Sequence, residues 1–470
     1  MARKLLPVVL GVIVLAALLG WLRFSRPGTE GPRLHVLLIT LDTTRADRLG
    51  CFGCEGQTSP DLDALARESV VFDRAIAQAA VTPVSHASIL TGLEPYHHGL
   101  RVMHGRVGNR LRDGQTTLAE VWRTAGGRTA AFISAFPVAS VFGLDQGFGH
   151  FDADFPGSDG ETLISPDGVV NTEKSQRRAD ETTRAAVEWL RTHVDPDRPL
   201  FMWVHYFDPH DPFLVPPEDV LRSLLASRFP PASQERPDVL RAVYDCEVNF
   251  MDRWVGKLLD EFKVLGLWER TMVVVVADHG EGLGDHNWWS HGILYQEQIH
   301  VPLLVRVPGV PGGRRIGGLV RTIDLAPTIL QVAGVRLDRW PEMDGESLAD
   351  AIESGGLERP REAYSEAVSI VAYGRPDGTG HRDQKDDKHY CLIDGAHKLI
   401  FHQLNPSNTE FYNLQDDPGE LHNLAGGSPP AMARLMQRLQ ELDPFSDIMP
   451  GMTETDLERA ERLKSLGYIQ

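Results

Sequence analysis

Apolar positions along the chain fall into a few unbroken runs separated by periodic or polar stretches. Residues 5–22 form an uncharged run with Arg3 and Lys4 before it, Arg23 and Arg26 after it, and Trp21 at its edge. A run of that length crosses a hydrocarbon core as a helix, and it lacks the shorter core and small-residue exit of a cleaved leader. An N-terminal transmembrane anchor over 1–24 is therefore expected, with basic residues on both sides leaving its orientation open. The turn-rich stretch 25–33 follows as a linker. Next, 34–41 (LHVLLITL), 200–207 (LFMWVHYF) and 272–277 (MVVVVA) are continuous apolar runs of strand length, the pattern of parallel strands covered on both faces. Helices are predicted from Asp61 and from Thr117, the second closing on Gly126 and Gly127. Strands alternating with helices predict an α/β fold, a mainly parallel sheet sandwiched by helices.

The tail changes character. Residues 390–414 read as short strands joined by turns, followed by a helix near Met432 to Leu442. A smaller C-terminal α+β subdomain over 355–470 is thus expected behind a larger domain over 34–354, since 470 residues exceed one ordinary core. The prolines scattered through 216–236 read as an excursion over the surface.

Polar residues at the strand ends change this picture most. Asp42, Asp208 and Asp278 each follow an apolar strand, and in open α/β sheets the ligand site lies outside the carboxyl ends of the strands. A net charge of −18 excludes a nucleic-acid partner, which would require a basic face. An anionic substrate must then be drawn in by a metal ion or a histidine cluster. Cys51 and Cys54 have the spacing of half a zinc site, but no second pair completes it; they read as ordinary thiols.

Three segments carry candidate chemistry. In Asp278-His279-Gly-Glu-Gly-Leu-Gly-Asp285-His286, an acid and an imidazole meet at a strand end, with glycines that let the backbone turn around a cation. In Thr82-Pro83-Val84-Ser85-His86-Ala-Ser88, Pro83 suits a first helical position and leaves Thr82 at the mouth of a helix. There a metal-bound hydroxyl becomes nucleophilic, and the helix terminus favours anions; Ser85 and Ser88 read as ordinary helix-start hydroxyls. The third segment, His205-Tyr-Phe-Asp208-Pro-His210-Asp211, places imidazoles and acids at another strand end. By themselves these residues indicate a metal-binding hydrolase and no more.

The segments LLITLDTTRADRLGCFG, SHASILTG, HYFDPHDPF, ADHGEGLGDH, IDLAPTILQVAGV, EFYNLQDDPGELHNLA and LKSLGYIQ, in this order from residue 34 to the C-terminus, resemble the sulfatase family within the alkaline-phosphatase superfamily. The resemblance implies that superfamily's mixed, mainly parallel sheet. It also implies that Asp42 and Asp278 are metal-binding acids and that His210 is the active-site histidine. Thr43 stands where many members have a second aspartate. His279 replaces the asparagine of calcium-binding sulfatases, and an Asp-His pair there resembles phosphoesterase branches that use transition metals.

Departures from the family pattern shape the expected chemistry. The signature Cys-x-Pro-Ser-Arg, or its serine form, is here Thr82-Pro83-Val84-Ser85-His86. Threonine cannot yield formylglycine, so none is expected. His86 replaces the arginine, and Ser134 and His291 stand where sulfate-contacting lysines are common. The resemblance then implies one divalent metal held by Asp42, Thr82, Asp278 and His279. Thr82 is the expected nucleophile, His210 or His291 the acid for the leaving oxygen, and His86 and Asp208 the substrate contacts. Manganese or zinc suits the nitrogen ligand better than calcium, which stays an option. A second cation at Asp208, His210 and His291 is an open alternative to these residues touching substrate oxygens.

The leading expectation is hydrolysis of an anionic sulfate or phosphate ester of a glycan, lipid or small molecule. The alternatives are a membrane-bound phospho-alcohol transferase of the lipoteichoic acid synthase type and an inactive binding protein that keeps the fold. The anchor and the family's habits place the catalytic domain outside the cytoplasm.

Overall fold

The computed structural model describes residues 32–445 apart from 57, 102–109, 156–174, 211–215, 229–235, 337, 339 and 369–386. The expected anchor lies outside the described residues. Among those described, no helix is long and apolar enough to cross a membrane.

Eight strands form the main sheet: β1 (His35–Leu41), β2 (Val70–Ile76), β3 (Arg128–Phe132), β4 (His150–Asp152), β5 (Leu200–Tyr206), β6 (Thr271–Ala277), β7 (His300–Arg306) and β8 (Arg314–Arg321). Their order is β4-β3-β5-β1-β6-β7-β2-β8. β7 alone among the described strands of this sheet runs against its neighbours β6 and β2. The three apolar runs read from the sequence are thus β5, β1 and β6, side by side at the centre, with every residue buried. Continuous burial, rather than alternation, is what helices on both faces impose on a parallel strand. Their pairing sets Leu41 level with Tyr206 on one side and with Ala277 on the other. The residues that follow these three strands are therefore neighbours by register.

Both predicted helices form, as Pro60–Arg67 and Leu118–Thr124. The second is closed at its start by a reciprocal pair, Thr117 accepting from the Glu120 N–H while Glu120 accepts from the Thr117 N–H. The stretch expected to wander over the surface is partly helical, with Pro216 and Pro217 preceding the helix Glu218–Arg228. Proline there disturbs no intrahelical bond, because the first N–H groups of a helix have no carbonyl partner.

A second, antiparallel sheet follows the helix Ala349–Ser354, which ends on Gly355. It comprises β9 (Glu362–Ala367), β10 (His389–Asp394), β11 (His397–His402) and β12 (Glu410–Asn413), in the order β12-β11-β10-β9. The helix Pro430–Leu442 packs on it through Leu435 and Leu439. This α+β unit is tied to the main domain just upstream of Thr82. Ser365 Oγ donates to the Ala77 carbonyl, and the Glu366 N–H donates to the Gln78 carbonyl at 2.9 Å.

Candidate active site

At the ends of β1 and β6, Asp42 and Asp278 face each other fully buried. Asp278 Oδ1 accepts from the N–H of His279 at 2.8 Å and of Thr43 at 3.2 Å. Thr43 reaches this position at φ 49°, an unusual conformation for threonine. It is held there by the Tyr244 hydroxyl, which donates to the Thr43 carbonyl at 2.7 Å and accepts the Arg45 N–H at 2.9 Å. Asp42 Oδ2 lies 3.1 Å from His205 Nε2. Because the Ser134 N–H donates to His205 Nδ1 at 3.3 Å, the ring proton sits on Nε2 and points at Asp42.

The opposite oxygens, Asp42 Oδ1 and Asp278 Oδ2, are buried without a well-formed hydrogen bond among the described residues. The Thr82 side chain faces Asp42, and His279 Nε2 and His86 Nδ1 stand 3.4 and 3.5 Å from Asp278 Oδ2. Burial drives both carboxyls well above their ordinary range, and the Asp42 charge pushes Asp278 further. Two acids that cannot both ionise next to each other call for a cation. The atoms of Asp42, Asp278 and His279 converge as such a group, each within 4.8 Å of the others. His279 Nδ1 lies 2.9 Å from the Gly280 carbonyl, so that nitrogen carries the proton and Nε2 presents its lone pair to the group. This donor set fits a divalent transition metal.

Thr82 opens the helix Thr82–Thr91, with Pro83 second and Gly92 ending it in the left-handed region at φ 70°. Thr82 Oγ1 is 3.2 Å from His279 Nε2. Ser85 Oγ donates to the Asp278 carbonyl at 2.7 Å, which fixes the helix start against the end of β6. The four expected metal residues are thus brought together. His291 joins them, its ring 4.4 Å from that of His279. Its Nδ1 lies 3.0 Å from the Ala80 carbonyl and its Nε2 3.1 Å from His210 Nε2. Burial holds His291 down to about 4 and keeps His210 well below the usual imidazole range, so both are neutral near pH 7.

Other expected residues do not present free donor atoms to the group, although His86 packs beside it, with Nδ1 3.5 Å from Asp278 Oδ2 and its ring edge-on to that of His205. His86 has both nitrogens engaged inside the protein, Nδ1 with the Thr82 carbonyl at 2.8 Å and Nε2 with Thr40 Oγ1 at 3.0 Å. Asp208 Oδ1 accepts the Ala179 N–H at the head of the helix Ala179–His193, and burial raises its carboxyl to about 7. Among the described residues, Asp208, His210 and His291 do not gather their donor atoms into a second cation group. Ser134 is turned inward, its hydroxyl on the His205 carbonyl and on Thr182. Asp285 pairs with Arg45 and Arg241, and His286 with Glu297.

The glycines after His279 serve a purpose other than a turn around a cation. Gly280 and Gly282 donate to the carbonyls of Gln298 and Ser290. A Cβ on Gly280 would lie 2.0 Å from the Glu297 carbonyl oxygen, and one on Gly282 would lie 2.2 Å from that of Trp288. The close approach of two backbones, rather than a positive φ, requires glycine at both positions. The sequence offers His205 as one of the imidazoles at a strand end without giving it a role, and it does not single out Tyr244.

The profile of the family described as Sulfatase matches residues 35–335, and that described as N-sulphoglucosamine sulphohydrolase, C-terminal, matches 284–443. The chain is 25% identical to an arylsulfatase of Clostridium perfringens, over 83% of this chain and 90% of that protein. Among solved structures, a protein in complex with its substrate D-glucosamine-2-N,6-O-disulfate superposes with a TM-score of 0.69 at 21% identity, covering 90% of this chain and 100% of that one. The phosphonate monoester hydrolase of Agrobacterium radiobacter superposes with a TM-score of 0.64 at 22% identity, covering 90% and 99%. The paired acids at the ends of β1 and β6, the buried helix start beside them and a family match over most of the main domain agree: the chain belongs to the sulfatase family of the alkaline-phosphatase superfamily and is a sulfatase-like ester hydrolase.

Proposed function

We propose that this protein hydrolyses anionic phosphate or sulfate esters with Thr82 as the nucleophile, and that phosphate esters are the better substrates. The observation that carries the reading is the position of Thr82 Oγ1, 3.2 Å from His279 Nε2 at a buried helix start. Asp42, Asp278 and His279 would hold the divalent ion, manganese or zinc before calcium because of the nitrogen donor. Once bound, that ion would acidify the Thr82 hydroxyl and offset charge on the non-bridging oxygens.

The chain's own groups supply the rest. His205 aims Asp42 by donating from Nε2, and Ser85 and Thr43 fix Asp278. The N-terminus of the helix Thr82–Thr91 directs its N–H dipoles at an incoming anion. His210 and His291, 3.1 Å apart, share the task of delivering a proton to the leaving oxygen. An anionic ester beside these neutral rings raises their proton affinity as it binds. His86, with both nitrogens occupied, acts as a brace for the Thr82 carbonyl and not as a substrate contact.

Threonine favours phosphorus for a chemical reason. A threonyl ester has no geminal hydroxyl from which to eliminate the group, so water must attack the phosphorus or sulfur centre itself. Relatives include an N-acetylglucosamine-6-O-sulfatase of Bacteroides thetaiotaomicron, and a sulfated sugar is the alternative substrate. The apolar run 5–22 is proposed to tether the enzyme at an extracytoplasmic face. Turnover of matched phosphate, phosphonate and sulfate esters, with manganese, zinc or calcium added in turn, tests the proposal. Faster cleavage of sulfate esters, or no metal-dependent turnover of any ester, overturns it.

A further inference from the structure

A second group of metal-type donors lies in the C-terminal sheet, outside the site described above. His389 and His402 are cross-strand partners at the open end of the β10–β11 hairpin. Their rings are 3.9 Å apart and both are buried, at 4% and 5% exposure. Asp387 precedes β10, and its Oδ2 lies 3.2 Å from His402 Nδ1 and 3.7 Å from His389 Nε2. Tetrahedral ligands ~2.0–2.1 Å from a zinc ion stand roughly 3.3 Å from one another; the two Asp387–histidine distances bracket that value, and all three donor atoms fall within 4.8 Å of one another.

The surroundings set the protons. Glu410 accepts from the hydroxyls of Tyr295, at 2.8 Å, and of Tyr412 through Oε2, while its Oε1 lies 3.0 Å from His402 Nε2. A carboxylate so placed takes the His402 Nε2–H and leaves a lone pair on Nδ1, the carboxylate–histidine relay of protein metal sites. Asp387 is fixed by the N–H groups of Lys388 and Leu404 on Oδ1 and by Asn405 on Oδ2. His389 Nε2, pointing into the same space, is buried without a hydrogen-bond partner among the described residues. Hydrogen bonds from His402 to the two acids alone would leave His389 Nε2 unsatisfied, and buried polar atoms are rarely left so.

We infer that Asp387, His389 and His402 bind a structural transition-metal ion of the zinc type, a site separate from the catalytic one. Two imidazole donors and one carboxylate select such an ion over magnesium or calcium. Through Glu410 and Tyr295 the site reaches the loop after His279, because the Tyr295 ring stacks on His286 at 3.7 Å. The ion would thereby lock the second sheet onto the loop that carries the catalytic donors.

The test uses the full chain, stripped with chelator, reloaded with zinc alone and counted by elemental mass spectrometry, with no need for turnover. About two ions per chain are expected in the wild type. His389→Gln and His402→Gln are each expected to lose about one, and Asp278→Asn to lose the other. Combining His389→Gln with Asp278→Asn is expected to leave none. Circular dichroism checks folding, and cobalt substitution gives a second readout: His389→Gln is expected to lose the part of the visible cobalt absorption that Asp278→Asn retains. If His389→Gln and His402→Gln fold and keep the wild-type ion count and cobalt spectrum, the inference is overturned, whatever happens at Asp278.

Discussion

Thr82 Oγ1 and His279 Nε2 lie 3.2 Å apart although 197 positions separate them in the chain. With Nδ1 committed to the Gly280 carbonyl, Nε2 is the one ring atom of His279 free to meet the threonine. It can accept the threonine proton or ligate a cation, and one lone pair cannot do both. Metal content therefore discriminates: His279→Ala is expected to lose the catalytic ion together with turnover. A variant that keeps the ion and loses only turnover would make His279 a base and not a ligand.

Thr82→Ala is expected to reduce turnover by at least about a thousandfold, while the catalytic ion stays bound through Asp42, Asp278 and His279. Thr82→Ser keeps the hydroxyl and is expected to retain part of the rate. Steady-state rates, and mass spectrometry of the trapped enzyme for a phosphorylated threonine, check this. Full activity in Thr82→Ala would remove Thr82 from the mechanism.

His205 does not belong to the expected ligand set, yet its Nε2–H holds Asp42 Oδ2 at 3.1 Å. Removing such a partner typically weakens metal binding by about 10–100-fold. His205→Gln is expected to show that loss in a metal titration, with turnover recovered at saturating metal. An unchanged affinity would show that Asp42 needs no orienting donor.

Buried neutral histidines make the fold sensitive to acid. His98 is fully buried, donating from Nε2 to Ser88 and accepting the Leu100 N–H. Burial, and then the Arg101 charge, hold it down to about 3 against 6.5 when unfolded. Between pH 3 and 6.5 the unfolded chain binds the extra proton, so stability rises with pH across that window and is complete above it. Each pH unit lost below 6.5 costs about 1.4 kcal/mol per such histidine. Urea midpoints measured from pH 7 to pH 5 are expected to fall, and less steeply in His98→Gln. Parallel slopes would refute the assignment.

Asp324 explains the IDLAPTILQVAGV segment in structural terms. Its oxygens take Arg321 and Arg361, each at 2.8 Å, at the head of the helix Leu325–Ala333. Asp324→Ala takes the shared carboxylate from two largely buried guanidinium groups, which keep Glu346 and, for Arg361, the Glu346 and Ser347 carbonyls, and is expected to cost about 1–3 kcal/mol. Denaturant unfolding measures this, and the metal content of the folded variant is expected to be unchanged.

A chain begun at Arg33 is expected to stay in the aqueous phase of a detergent partition and to keep its turnover, while the full chain follows the detergent. Equal partition of both would remove the proposed tether.

The three central strands were legible because their apolar runs stop abruptly at Asp42, at Asp278 and just before Asp208. Burial on both faces writes itself into sequence as continuity. Thr82 and His279 were legible as candidates because a proline after the threonine and a strand end before the histidine are local signals. Which acids meet was not local. Asp42 and Asp278 converge because β1 pairs with β6, and Asp208 turns instead to cap a helix. The same holds for the proton on His205, the left-handed Thr43 held by Tyr244, and the glycines that let residues 280–284 run against 288–298. The pairing of His389 with His402 also lay unseen, since nothing before the hairpin's register distinguishes two strand histidines thirteen residues apart. Sequence by itself determined where chain segments are buried and where they end, because hydrophobic periodicity acts over a few residues. Only the tertiary structure decided which buried polar atoms share a partner, because contacts between distant segments set it.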